Sequence, residues 1–234
     1  MKPVETVSTN AYRIGTNRRL SPEHIDQLIG VFGQPTLNST SILGGRTAVS
    51  TTHLNDLGSV VIKHYRRGGW LRRLVKRTYL RWGTPRCRIE FDMLQEARRL
   101  GVRSPEPIAF AYKGRLFYRC WLVTREIQIR SSLAELSRSD PRAALEVIPR
   151  VADQISRLIE HRIWHVDLHP GNILVDNRSK IHLIDFDRAR HVRWDRARLH
   201  GRYVKRWKRA VSKHGLPPQL TRDLETALAR PRLQ

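Results

Sequence analysis

Between His165 and Asp187 the chain reads HVDLHPGNILVDNRSKIHLIDFD, and no other stretch limits the possible folds as strongly. Ile173-Leu174-Val175 and Ile181-His182-Leu183-Ile184 are short, strand-forming apolar runs. Asp176-Asn177-Arg178-Ser179-Lys180 between them has turn chemistry. The spacing predicts a β-hairpin with acids and amides at both ends. Charged side chains at this density usually decorate a solvent-facing loop, but a loop would not carry the two apolar runs. Three readings compete: a metal site, a phosphoryl-transfer site, or a hairpin with polar ends and no chemistry.

His165, Asp167 and His169 alternate, so an extended strand would put them on one face as a zinc or iron set. Pro170-Gly171 interrupts such a strand, and the neighbouring acids are oxygen donors better suited to magnesium. Phosphoryl transfer accounts for more residues at once. It needs a carboxylate for the acceptor hydroxyl's proton, an amide and a carboxylate for magnesium, and a lysine for the nucleotide phosphates. Asp167 stands five residues before Asn172, and Asp185 follows the second strand.

Elsewhere, Ser21-Pro22 opens a helix with Ile25, Leu28, Ile29 and Phe32 on one face. Residues 42–49 read as strand, glycine turn and return strand, and 59–65 as another strand. Thr84-Pro85 starts a helix that ends at Gly101. Strand-like runs at 107–112 and 116–124 flank the turn Lys113-Gly114-Arg115. From Asp140-Pro141 onward the pattern is mainly helical, with the hairpin embedded in it. The order predicts an α+β fold of two lobes. The first is residues 1–125, an extension over 1–39 followed by a small antiparallel sheet over 40–125. The second is a mainly helical lobe over 126–234.

The balance of charge points to a polyanionic partner. Lys and Arg number 44 against 21 acids, a formal net charge of +23. No acid falls between Asp56 and Glu90, where HYRRGGWLRRLVKRTYLRWGTPRCR mixes cations with Trp70, Leu71, Leu74, Tyr79 and Trp82. A second basic block runs from Arg202 to His214. Cations interleaved with aromatics suit an anionic lipid surface, although a solvated basic face and nucleic-acid binding are the alternatives. MKPVETVSTN has no apolar core of a secretory signal, and no run is long enough to span a membrane. Two widely separated cysteines fit a reducing cytosol.

His165-Val166-Asp167-Leu168-His169-Pro170-Gly171-Asn172 resembles the catalytic loop of the protein-kinase-like superfamily, and Asp185-Phe186-Asp187 resembles its magnesium-binding motif. The resemblance implies a two-lobed kinase fold that uses ATP and Mg2+. Within it, Lys63 of Val-Val-Ile-Lys is similar to the strand lysine that contacts the α- and β-phosphates. Its partner would be a glutamate of the helix over 84–100. Glu90 shares a face with Leu94 and Ala97, whereas Glu96 lies about 120° away at 100° per residue, so Glu90 is expected to point inward. Gly44, Gly45 and Arg46 would belong to the loop that covers the phosphates, although the last glycine of GxGxxG is missing.

No Ala-Pro-Glu follows Asp187, which argues against a regulated protein kinase. Gly-Gly-Arg, Lys63-His64-Tyr65-Arg66-Arg67, Leu-Phe-Tyr-Arg at 116–119 and Ile-Asp-Phe-Asp-Arg-Ala at 184–189 are similar to the lipopolysaccharide kinases. These are the heptose kinases and those of 3-deoxy-D-manno-octulosonic acid (Kdo), the Kdo branch being the closer. The resemblance implies transfer from ATP to a sugar hydroxyl, that of Kdo, on a lipid A-linked acceptor. It also implies a peripheral enzyme on the cytoplasmic face of the inner membrane, with an anionic membrane surface and no nucleic acid as partner. By the same resemblance Asp167 serves the hydroxyl, Asn172 and Asp185 hold magnesium, and Lys63 with Glu90 positions ATP. Arg66, Arg67 and Arg188 are the arginines expected to clamp acidic groups of the acceptor. The alternatives are a heptose kinase, an aminoglycoside- or choline-type kinase, and a basic nucleic-acid-binding module. An antibiotic kinase would want an acidic pocket for its cationic substrate, and a binding module would leave the Lys63, Glu90, Asp167, Asn172 and Asp185 set unexplained.

Overall fold

A computed structural model describes residues 4–9, 11–34, 48–65, 79–80, 83–115 and 117–230, without the side chains of 48, 79, 80 and 130. The chain divides into two compact units, Met1–Asp92 with Glu106–Glu126, and Met93–Pro105 with Ile127–Gln234.

Among the described residues the first unit is built on an antiparallel sheet of seven strands: β1 (Glu5–Thr9), β2 (Tyr12–Thr16), β3 (Ala48–Leu54), β4 (Gly58–His64), β5 (Tyr79–Leu80), β6 (Pro107–Lys113) and β7 (Phe117–Arg125). Their order is β1-β2-β6-β7-β4-β3, with β5 against the start of β7. This corrects the expectation that the sheet begins near residue 40. Four of the five residues of ETVST are exposed in the edge strand β1, so no alternation between a buried and an exposed face marks it. Strand β2 nevertheless pairs with β6 from Tyr12↔Lys113 to Thr16↔Ala109.

Helix α1 (Pro22–Gly33) begins where the sequence predicts. Ser21 Oγ accepts the His24 N–H, and His24 Nδ1 accepts the Ser21 N–H in return, a capping box with histidine in the place of glutamate. Its Leu28 and Phe32 join Tyr12, Ile14, Leu54, Val60, Ile62 and Trp121 in one core on one face of the sheet. Alternation along β4 sends Val60 and Ile62 into that core and Lys63 to the opposite face. On that opposite face Lys63 is paired with Leu122, and Leu122 with Phe110. Phe110 receives the edge of Phe91 from helix α2 (Arg86–Arg99), ring centroids 5.2 Å apart. Strand parity therefore places Lys63 on the face that α2 covers.

The second unit holds helices α3 (Leu133–Ser139), α4 (Pro141–Glu146), α5 (Ile148–Glu160), α6 (Arg196–Lys213) and α7 (Gln219–Ala229). Val151, Ile155 and Leu158 of α5, Tyr203 and Trp207 of α6, and Leu220 and Leu224 of α7 are buried. Full burial of each large apolar side chain stabilises the unit by about 1.5–3 kcal/mol. Strands β10 (Ile173–Asp176) and β11 (Ile181–Leu183) form the expected hairpin. The sequence reading did not anticipate β8 (Ile129–Ser132), which adds a third strand against β10. Nor did it anticipate the two-residue ladder of β9 (Ile163–Trp164) with β12 (Arg190–His191). Among the described residues no helix is long and apolar enough to cross a membrane.

Candidate active site

In the first unit, Lys63 Nζ lies 2.9 Å from Glu90 Oε1 and 2.8 Å from Oε2. The Glu90 side chain is 2% exposed, and the burial of its carboxylate is supported by this ammonium and by a hydroxyl donor. That donor is Tyr65, whose Oη donates to Glu90 Oε2. The Tyr65 ring also lies under the Lys63 ammonium, 5.1 Å from Nζ to centroid. Sequence reasoning missed Tyr65, although the alternation that faces Lys63 toward α2 also faces the residue two positions on. Glu96, the rejected alternative, bonds His191 Nε2 at 2.9 Å and lies 3.9 Å from Arg99. Gly44, Gly45, Arg46, Arg66 and Arg67, and the aromatics Trp70 and Trp82, fall outside the described residues.

In the second unit the residues of the loop 165–172 are held by their backbone and by one buried histidine. His165 is fully buried, and its Nε2–H donates to the Ile184 carbonyl at 2.9 Å. Burial pushes the imidazole pKa down, so the ring is neutral and braces the loop. Phe186 packs edge-on against it at 4.6 Å. Tyr203 fastens the start of the loop, accepting the His165 N–H at 2.9 Å and donating to the Ile163 carbonyl at 2.8 Å.

Asn172 donates its Nδ2 to the Asp167 main-chain carbonyl at 2.9 Å, which leaves Oδ1 as the amide's free oxygen donor. The Ile184 N–H donates to the Asn172 carbonyl at 3.1 Å, so Asn172 and Asp185 stand at the same end of the hairpin. Asp185 adopts a left-handed conformation, φ 64° and ψ 59°, a strained backbone for a residue other than glycine. A Cβ at Gly171 would come within 2.9 Å of the His169 ring, so any larger residue there would have to displace that ring.

The Asp167 carboxylate is 36% exposed and flanked by two arginines, Arg206 Nη2 at 3.3 Å from Oδ1 and Arg188 Nη1 at 3.8 Å from Oδ2. Arg188 was among the arginines expected near the acceptor; Arg206 was missed. It belongs to the basic block from Arg202 to His214, but nothing local ties it to an aspartate 39 residues away. His169 accepts the Gly171 N–H on Nδ1 at 3.0 Å. Burial, then the charges of Arg206 and His214, push its pKa down to about 4.

These donors fit magnesium and not a zinc cage. Among the described residues no three His, Cys, Asp or Glu side chains gather to hold a metal. Both histidines of the alternating triplet turn a ring nitrogen to the backbone. One amide oxygen and one carboxylate at the hairpin end suit a cation that fills its shell with phosphate oxygens and water.

A buried lysine–glutamate pair beside a sheet, with an aspartate, an asparagine and a second aspartate ordered on a loop and hairpin, is the equipment of the protein-kinase-like class. Comparison with known proteins carries the assignment one level further. The family model "Lipopolysaccharide kinase (Kdo/WaaP) family" matches residues 42–227, and the chain belongs to that family. It is 31% identical over 170 residues to a 3-deoxy-D-manno-octulosonic acid kinase of Vibrio parahaemolyticus, the match covering 69% of this chain and 71% of the relative. To the Vibrio vulnificus protein of the same name it is 32% identical, over 63% of this chain and 64% of the relative. To that of Xylella fastidiosa it is 34% identical, over 57% of this chain and 54% of the relative.

Proposed function

We propose that the chain transfers the γ-phosphoryl group of ATP to a hydroxyl of Kdo on a lipid A-linked lipopolysaccharide precursor. The observation that carries the reading is the buried Lys63–Glu90 pair in a chain whose relatives are named Kdo kinases. Glu90 holds the lysine ammonium in place, and the ammonium binds nucleotide phosphate oxygens. Asp167 accepts a hydrogen bond from the acceptor hydroxyl, orients its oxygen and takes up its proton as the new P–O bond forms and the bond from the γ-phosphorus to the bridging oxygen breaks, ADP leaving with that oxygen. Asn172 and Asp185 are the residues that would hold magnesium. That ion, when bound, supplies charge neutralisation on the phosphate oxygens. His165 and Tyr203 fix the loop that presents Asp167.

The acceptor is embedded in lipid, and α6 supports a surface-bound enzyme. Arg198, Arg202, Lys205 and Arg209 recur along one helical face and are exposed. Trp194 lies beside them, with the Arg202 guanidinium 4.1 Å from its ring. Such a face is drawn to anionic headgroups on the cytoplasmic side of the inner membrane. The basic segment from residue 66 to 78, expected to contribute, lies outside the described residues.

Incubation with radiolabelled ATP, magnesium and Kdo-bearing lipid A precursor tests the proposal. The expected product carries one added phosphoryl group, about 80 Da by the transfer chemistry. Label entering heptosylated core in preference would move the chain to the heptose branch. Label entering only a soluble aminoglycoside or amino alcohol would overturn the acceptor assignment.

A further inference from the structure

We propose that Arg206 binds the carboxylate of the acceptor sugar, exchanging its ion pair with Asp167 for one with the substrate. The inference rests on the reading of the chain as a kinase of a Kdo-bearing lipid.

Three observations lead to it. First, the Asp167–Arg206 contact is slack. At 3.3 Å it is longer than the roughly 2.7–2.9 Å of a well-formed charge-assisted bond, and Arg188 at 3.8 Å is looser still. Second, Arg206 has donors to spare. A guanidinium carries five N–H groups. One nitrogen meets Asp167, while Nε is buried with no hydrogen-bond partner. Third, nothing on its own helix neutralises it. Residues 196–213 contain eight lysines and arginines and no acid. His169 and His214 stand close enough for the charges of His214 and Arg206 to suppress protonation of His169.

A guanidinium held only to brace Asp167 would work against the reaction, because it occupies Oδ1, the oxygen needed to accept the hydrogen bond of the acceptor hydroxyl. An acceptor that brings its own carboxylate resolves this. Arg206 turns to the incoming planar anion, which matches its fork of donors, and Oδ1 is released to the hydroxyl. The charge on Arg206 stays paired throughout. Because Arg206 and Asp167 are 3.3 Å apart, the anion must sit on the same sugar as the reacting hydroxyl. A sugar acid satisfies that condition, whereas a phosphate on a distant part of the lipid does not.

The test is steady-state kinetics of the full chain on a Kdo-bearing lipid A precursor and on its methyl ester, for the unaltered protein, Arg206→Gln and Arg206→Lys. Esterification should lower kcat/KM of the unaltered protein at least about tenfold, the loss of a charge-assisted contact. Arg206→Gln should lose a similar factor on the acid and almost nothing further on the ester, with KM for ATP unchanged. Arg206→Lys should recover part of the discrimination. An ester effect of equal size in Arg206→Gln and the unaltered protein overturns the proposal, as does a substitution that lowers kcat equally on both acceptors and shifts the pH profile. Selective loss on a dephosphorylated acceptor, dependent on Arg206, would reassign the arginine to phosphate and also overturn it. Should Arg206→Gln not fold, acid against ester on the unaltered protein and Arg206→Lys decides, equal rates being the overturning result. Transfer to acid and ester alike overturns this inference alone. No transfer to the acid by the unaltered protein overturns the acceptor assignment and this inference with it.

Discussion

The Lys63 ammonium meets both oxygens of the Glu90 carboxylate, at 2.9 and 2.8 Å, in a pocket where the glutamate side chain is 2% exposed. Removing either partner breaks a charge pair whose carboxylate is almost wholly buried, a change that costs about 3–5 kcal/mol at such sites. The pair is therefore both a structural commitment of α2 to the sheet and a fixed cation beside it.

Lys63→Met and Glu90→Gln should each lower kcat/KM for ATP by about 10- to 100-fold, the worth of one charge-assisted contact. Tyr65→Phe should fall between these and the unaltered protein, because it removes a hydroxyl donor to Glu90 but keeps the ring under the ammonium. Glu96→Gln should be close to neutral, since it disturbs contacts with Arg99 and a half-exposed His191. A silent Glu90→Gln with a severe Glu96→Gln would reverse these assignments.

Asp167→Asn should reduce transfer by about 10²- to 10⁴-fold, the usual contribution of a positioned proton acceptor. Nucleotide affinity, followed by calorimetry, should barely change. The Asn172 bond to the Asp167 main-chain carbonyl survives the substitution, so the loop keeps its form. Substantial residual turnover would remove Asp167 from the proton-accepting role.

Asp185→Asn should keep the melting temperature and lose magnesium-dependent ATP affinity. Asparagine tolerates the left-handed backbone, φ 64°, that Asp185 adopts, whereas alanine would add strain of about 1 kcal/mol. Unchanged affinity for Mg-ATP in the asparagine variant would exclude Asp185 from holding the metal.

Acidification from neutral pH should destabilise the second unit. The His169 pKa, held down to about 4, lies below its ordinary value of 6.5, so between those values the unfolded chain binds the extra proton. The stability contributed is complete above pH 6.5, declines as the pH falls through this window, and is gone below about 4. His165 shifts in the same direction, through burial. Denaturant unfolding at pH 7 and pH 5 should show the loss, and His169→Gln should flatten it.

Sedimentation with anionic vesicles should be strong at low salt and fall steeply as salt is added, whereas neutral vesicles should bind poorly. Replacing Arg202, Lys205 and Arg209 together by glutamine should weaken vesicle binding about a hundredfold, at roughly 1 kcal/mol per basic residue. Binding to duplex DNA alone would favour the nucleic-acid alternative.

Short-range physics was readable in the sequence. Turn residues between two apolar runs specified the β10–β11 hairpin, and Ser21 before Pro22 specified the start of α1. The i, i+4, i+7 spacing of Glu90, Leu94 and Ala97 separated Glu90 from Glu96, because helical periodicity depends on a few neighbouring residues. What lies far apart along the chain required the tertiary structure. The pairing of β2 with β6 joins segments about a hundred residues apart, and a five-residue edge strand with an exposed face offers no pattern to announce it. The strand at 129–132 gained its identity only by docking on β10. Arg206 was one cation among eight on its helix until the burial of Tyr203 and Trp207 fixed the rotation of α6 and brought that one guanidinium, and not its neighbours, to Asp167. A helix's charge is written in its composition, but the direction in which each charge faces is decided by which apolar stripe the core accepts.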